Sequence, residues 1–156
     1  MNAFLKDIAE FHTLFGFVQK KKPGFLSDEK MGVRLNFQLE ELMETADAAG
    51  FELMVNTDEE TGAITVNFER NDMLDQDLHR FFDGIIDQAY VLFGTAWHCN
   101  LPFQPGWERV HGANMLKRRA ESADESKRGT TFDVVKPEGW TPPTFYDLLT
   151  PMVPAE

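Results

Sequence analysis

Several things are scarce in this chain. Of its 156 residues one is a cysteine, Cys99, so no internal disulfide framework exists, and that usage fits a reducing cytosol. No apolar run approaches the roughly 20 residues needed to cross a bilayer, so no transmembrane helix is expected. The first residues, Met1 to Asp7, have no basic start followed by an apolar core, so no secretion signal is expected. Cations are few: 15 Lys and Arg stand against 26 Asp and Glu, for a formal net charge of −11. Such a chain lacks the basic footprint that duplex nucleic acid requires. It also has no Walker-type glycine loop, no GxSxG elbow, no CxxC or HExxH pattern and no internal repeat. A soluble cytoplasmic protein, partnered neither with membrane nor with duplex nucleic acid, is the expectation.

Apolar residues are plentiful, at 42% with 14 Phe and 3 Trp, enough for one domain with a real core. Their spacing changes along the chain. Phe4, Ile8, Phe11 and Phe15 recur at helical intervals and predict a first helix over residues 2 to 18, ended by Gly16, Lys20-Lys21-Lys22 and Pro23-Gly24. Ser27-Asp28 opens a second helix that runs to about Gly50. On it Leu35, Leu39, Leu42, Met43 and Ala46 fall on one side, the expected core stripe, and Glu40, Glu41 and Glu44 on the other. Val33, Phe37 and Ala48 lie among those glutamates, which a plain solvent face would not need.

Residues 51 to 70 alternate, with Asp58-Glu59-Glu60-Thr61-Gly62 in the middle, and predict a β-hairpin inserted between helices. Cover over a site and part of a subunit interface are both compatible with it. A third helix is expected from about Asp72 to Leu101, with Leu78, Phe82, Ile85, Ala89, Phe93 and Ala96 as its core stripe. Asp83 and Asp87, four apart, stack on a different face of it. Gly84 between them weakens helix propensity by roughly 1 kcal/mol relative to Ala, as a close approach of backbone or ligand would require. A fourth helix is expected over about Pro105 to Glu121. Residues 122 to 156 read as loop and an extended C-terminal arm with one helical turn. The fold class expected is all-α: a single four-helix-bundle-like domain with an inserted hairpin and that arm.

Glu40, Glu41 and Glu44 on one helix and Asp83 and Asp87 on another would repel each other if brought together without a cation. Mg²⁺ or Mn²⁺ removes that conflict, because both take oxygen ligands and keep positions open for water and phosphate. Two solvated acidic faces on separate helices are the plainer reading of the same spacing. A di-iron carboxylate protein would need two Glu-x-x-His motifs, and the chain offers one, Glu108-Arg109-Val110-His111. His98-Cys99 has no companion cluster for zinc and reads as structural. Without a phosphate loop, binding of phosphate would fall to metals and to side chains such as Arg34, Asn114, Lys117, Lys127, Arg128 and Lys136.

Taken together, Glu40-Glu41-Leu42-Met43-Glu44, then Asp83-Gly84-Ile85-Ile86-Asp87 running on to Gly94-Thr95-Ala96, resemble the two acidic motifs of the MazG-like all-α NTP pyrophosphohydrolases. Val110-His111-Gly112-Ala113-Asn114-Met115-Leu116-Lys117 is a third point of likeness. The Phe11-His12 segment, Lys127-Arg128-Gly129 and Lys136-Pro137-Glu138-Gly139-Trp140 are similar to the small single-domain phage and bacterial members. One position departs: aligned on Asp87, the Glu-x-x-Asp form of the second motif would place its glutamate at Gly84, and this chain has Asp83 one residue earlier. The hairpin is also longer than the minimal family linker.

The resemblance implies hydrolysis of a nucleoside or deoxynucleoside triphosphate to the monophosphate and pyrophosphate with Mg²⁺ or Mn²⁺. It implies Glu40, Glu44 and Asp87 as metal ligands, completed by Glu41 and Asp83, with Glu41 also orienting or deprotonating the attacking water. Asn114, Lys117 and Lys136, with Arg34, would hold phosphate or sugar, and His12 and Trp140 would contribute to base selection. A homodimer or homotetramer is implied as well. A non-catalytic acidic module that binds nucleotide or protein is the alternative of another class.

Overall fold

The computed structural model describes residues 3–150. Two long helices dominate it, α2 (Asp28–Ala48) and α3 (Leu78–His98), joined through a hairpin of β1 (Phe51–Thr57) and β2 (Ile64–Arg70). A first helix, α1 (Ala3–Leu14), lies against α3, and α2 packs along α3. Then come α4 (Phe103–Met115), a small sheet of β3 (Arg118–Arg119) and β4 (Val134–Val135), and the single turn α5 (Tyr146–Leu149). Among the described residues no helix is long and apolar enough to cross a membrane.

The all-α, four-helix-bundle-like expectation is corrected. The chain is mixed α/β, about 50% helical and 12% strand, with two small antiparallel sheets. The second sheet lies in the stretch read as helix end and loop, where Arg118 pairs with Val135 and Arg119 with Val134. Its closure has a local cause. Gly129 turns the chain at φ +65°. Asp133 accepts hydrogen bonds from Ser126 Oγ at 2.7 Å and Arg128 Nη1 at 2.7 Å, which fixes the return strand. Arg118 holds Glu125 through two bonds of 2.9 Å and keeps its carboxyl down at about 2. The fourth helix therefore stops at Met115 instead of reaching Glu121. It buries no residue, and its aromatic contact with α3 is made at its first residue, Phe103, whose ring stands edge-on to Phe93.

Helix ends follow capping chemistry more than hydrophobic pattern. The third helix starts at Leu78 rather than Asp72, because Asp77 accepts from the backbone N–H of His79 at 2.9 Å and of Arg80 at 3.1 Å. At the other end of the connection, the last carbonyls of α2 are met by Arg70 and Gln76: Nη1 of Arg70 donates to Gly50, and Nε2 of Gln76 to Ala49, both at 2.9 Å.

The core is not where the leucine stripe predicted it. The side of α2 turned to α3 carries Arg34, Glu41, Thr45 and Ala48, while Leu35, Leu39, Leu42 and Met43 are exposed. On α3 the expected stripe is buried at Ala96 and exposed at Leu78, Phe82 and Ile85. At 100° per residue the outer faces of α2 (Leu35, Leu39, Leu42) and α3 (Leu78, Ile85, Leu92) lie on the same side of the antiparallel pair, opposite the acids. Apolar residues buried within one chain are few: Ile8, Ala48, Ala96, Cys99 and Ala120.

Two glycines let α3 come this close to its neighbours. A Cβ at Gly84 would stand 2.4 Å from Thr45 Oγ1 and 3.3 Å from Thr45 Cα, and one at Gly94 would stand 2.9 Å from both Arg34 Nη2 and His12 Cε1. Gly84→Ala is therefore expected to destabilise the fold by about 1–3 kcal/mol through overpacking. Gly32→Ala in α2, where nothing lies within 4 Å, serves as the contrast and is expected to be neutral or stabilising. Urea unfolding of the two variants measures the difference.

Candidate functional site

The helix pair runs antiparallel, and its contacts occur in order. Asp47 meets Arg80 in a 2.9 Å ion pair, Thr45 meets Gly84 and Gln88, and Arg34 meets Val91 and Thr95. Between these fixed points lie the acids. Thr45 Oγ1 donates to the Glu41 carbonyl at 2.7 Å and accepts from Gln88 Nε2 at 2.7 Å, so one hydroxyl joins both helices beside the first acidic motif.

Glu41 reports how the acids are grouped. Its carboxyl is held above the ordinary glutamate range, first by desolvation and then by the negative charges of Asp87, Glu44, Glu40 and Asp83. Four of the predicted acids thus bear on the fifth from both helices. Glu41 is half-buried, and the other four side chains are exposed at the rim. Among the described residues, no group of three or more His, Cys, Asp or Glu side chains stands in ligating arrangement. The donor chemistry nevertheless fits a divalent ion: hard oxygen ligands in excess, mutually repelling, with no cation among the groups that act on Glu41.

The departure at Gly84 also gains a reason. Position 84 faces the α2 backbone at van der Waals distance, so a glutamate there would have to displace Thr45. Asp83, one residue earlier, turns toward the flank that carries Asp87.

Along the same flank, toward the N-terminal half of α2, lies a cavity of about 670 Å³. Phe11, Phe17, Phe37 and Tyr90 supply its aromatic walls, and Glu29, Lys30, Arg34, His12 and His98 its polar groups. Phe37 lies one turn before Glu41, and Tyr90 and Val91 lie one turn after Asp87, so the cavity adjoins the acids at roughly 6 Å along the helix axes. Val33 and Phe37, the apolar residues noted among the glutamates, line it. Burial pushes the His12 imidazole below its ordinary pKa. Its Nδ1 bonds to the Ile8 carbonyl at 2.8 Å, so the neutral ring donates there, and its Cε1–Nε2 edge lies against Gly94 of α3. His98, edge-on to His12 with centroids 4.7 Å apart, is pushed down too, by burial and then by His12 and Arg34.

Arg34 has a structural duty as well as a place in the cavity. Its Nε donates to Thr95 Oγ1 at 3.0 Å and its Nη2 to the Val91 carbonyl, both neutral partners. Burial lowers the pKa of the guanidinium.

The remaining candidates form a second cluster at the end of α4. Trp140 donates its indole N–H to the Ala113 carbonyl at 2.8 Å, and Lys117 and Lys136 stand over its ring, 5.4 and 4.4 Å from the centroid. Asn114 is exposed beside them. Lys117, Lys136 and Trp140 are thus brought together, but neither lysine is among the charges that act on Glu41. Glu108 and His111 are both exposed on α4, with Glu108 bonded to Gln104 at 2.8 Å, and no second such pair accompanies them. Sequence reasoning missed Thr45, Gln88, Phe17 and Tyr90. The spacing of Tyr90 from Asp87 was the available signal, and for Thr45 and Gln88 there was none.

Compared with known proteins, the chain matches no family model and no curated protein.

Because the Glu41 pKa in the fold lies above its ordinary value, the fold favours the neutral carboxyl. Its contribution to stability is complete below the ordinary carboxylate range and is lost as pH rises through the raised value. In metal-free buffer Glu41→Gln is therefore expected to melt above the wild type at about pH 8, and the gap is expected to close toward about pH 4. Thermal unfolding in the presence of a chelator, followed by circular dichroism, provides the check.

Proposed function

We propose that the protein hydrolyses a nucleoside or deoxynucleoside triphosphate to the monophosphate and pyrophosphate with Mg²⁺ or Mn²⁺, in control or house-cleaning of the nucleotide pool. The observation that carries this reading is the single electrostatic field of Glu40, Glu41, Glu44, Asp83 and Asp87 beside an aromatic cavity. Glu40, Glu44 and Asp87 would hold the metal, with Glu41 and Asp83 completing the set. With a divalent ion held there, the site these carboxylates form would supply charge neutralisation and polarisation of a phosphate.

Glu41, half-buried among the other four acids, would orient or deprotonate the attacking water. In the cavity, Phe37 and Tyr90 would flank the base, with Arg34 and the buried His12 ring in the wall behind them. Asn114, Lys117 and Lys136 are the candidates for phosphate or sugar, and Trp140 for base selection. The chain would work as a homodimer or homotetramer in the cytoplasm.

A non-catalytic acidic module that binds nucleotide or protein is the second reading. It is favoured by the absence, among the described residues, of a preformed ligating group. Assay of monophosphate and pyrophosphate with a panel of triphosphates separates the two. Glu41→Gln and Asp87→Asn are each expected to reduce metal-dependent turnover by about 100-fold or more while leaving the far-UV spectrum unchanged. Turnover absent from the wild type, or undiminished in both variants, would sink the hydrolase reading.

A further inference from the structure

We propose that the apolar face of the β1–β2 hairpin docks on a second copy of this chain. The inference goes beyond the hydrolase reading and does not depend on it.

The hairpin is fixed at its base and unsupported above it. Asn71 donates its backbone N–H to Gly50 at 3.0 Å, and Arg70 closes on the same carbonyl at 2.9 Å, tying the two strand ends to the end of α2. From there, seven paired residues project by roughly 23 Å. Alternation sorts the two faces. Leu53 opposes Phe68, Val55 opposes Val66 and Thr57 opposes Ile64 on one, whereas Glu52 opposes Glu69 and Asn56 opposes Thr65 on the other. Val55, Ile64 and Val66 are 61%, 67% and 60% exposed, so the outer part of the apolar side is left uncovered by the described residues of the same chain.

A two-stranded hairpin is marginal in water, and directly opposed like charges at Glu52 and Glu69 weaken this one further. Its order has to come from whatever the apolar face rests on. That surface needs covering whenever the chain is folded, and a second copy is the partner supplied in matching amount. The same copy also displays suitable apolar surface of its own, since Leu39, Leu42, Leu78 and Ile85 are exposed on the helices that carry the hairpin. Side chains at these exposures leave roughly 80 Å² each. The hairpin then provides about half, and the helices the rest, of the about 800 Å² per partner that an ordinary stable interface buries. An anionic lipid surface is disfavoured by the acidic tip, Asp58-Glu59-Glu60.

Photo-crosslinking of the full chain tests this. A benzophenone side chain at Val66, on the apolar face, is expected to give covalent dimers on irradiation, and the same group at Asn67, on the opposite face, at least about 5-fold fewer. Sedimentation equilibrium supplies a second readout. Val55→Asp combined with Val66→Asp is expected to weaken self-association on the order of 100-fold, and Asn56→Asp with Asn67→Asp to leave it unchanged. If the apolar-face double variant does not fold, the crosslinking result decides. A monomeric wild type overturns the proposal, as do equal dimer yields from both positions, attachment of the Val66 probe within its own chain, or an unchanged mass for a folded apolar-face variant.

Discussion

The approach of Gly84 to Thr45 sets the spacing of α2 and α3, and most of what is particular to this protein depends on it. With no side chain at position 84, the helices come close enough for one threonine hydroxyl to bridge the Glu41 carbonyl and Gln88. That closeness adds the charges of Asp87 and Asp83 to those that Glu44 and Glu40 of the same helix already place on Glu41. It also explains why the acidic motif on α3 is written with Asp83 and not with an acid at 84. The same principle recurs nearly three turns on, where Gly94 makes room for His12 and Arg34 at the floor of the aromatic cavity.

The helix pair is polar where it meets and apolar where it faces out, the reverse of a self-sufficient domain. Arg34, Glu41 and Thr45 occupy the seam, while leucines that would ordinarily form a core are exposed. A polar seam is costly to build, and Arg34 illustrates how it is sustained: its burial is offset by hydrogen bonds to Thr95 and Val91 that clamp α2 to α3. Such a seam suits a functional site, because it keeps charged and donor groups in fixed positions beside a cavity. The apolar outer faces are what a further subunit would cover.

Much of this was legible in the residues, and the failures have physical causes. Period and turn chemistry located both long helices and the hairpin, and helical spacing put Glu40, Glu41 and Glu44 on one face and Asp83 and Asp87 on another, while the pairing of the two faces rested on the family resemblance. Val33 and Phe37 among the glutamates marked the cavity side. The leucine stripe of α2 misled, because periodicity identifies an apolar face without saying whether the same chain buries it. The β3–β4 sheet was missed because two-residue strands carry no pattern. It is held by Arg118, Asp133 and their partners, contacts between residues that no local signal connects. The start of α3 shifted for a similar reason, since Asp77 caps the helix and the preceding residues continue the hairpin's exit.

The central claim is that the acids gathered by α2 and α3 form a divalent-metal site for a triphosphate. Titration of the wild-type protein with Mn²⁺, followed by electron paramagnetic resonance with and without a non-hydrolysable nucleoside triphosphate, tests it most directly. The account predicts loss of the free-ion signal at stoichiometric Mn²⁺, tighter binding when the nucleotide is present, and loss of both effects in Asp87→Asn. Mn²⁺ that stays free in the presence of excess protein and nucleotide would contradict it.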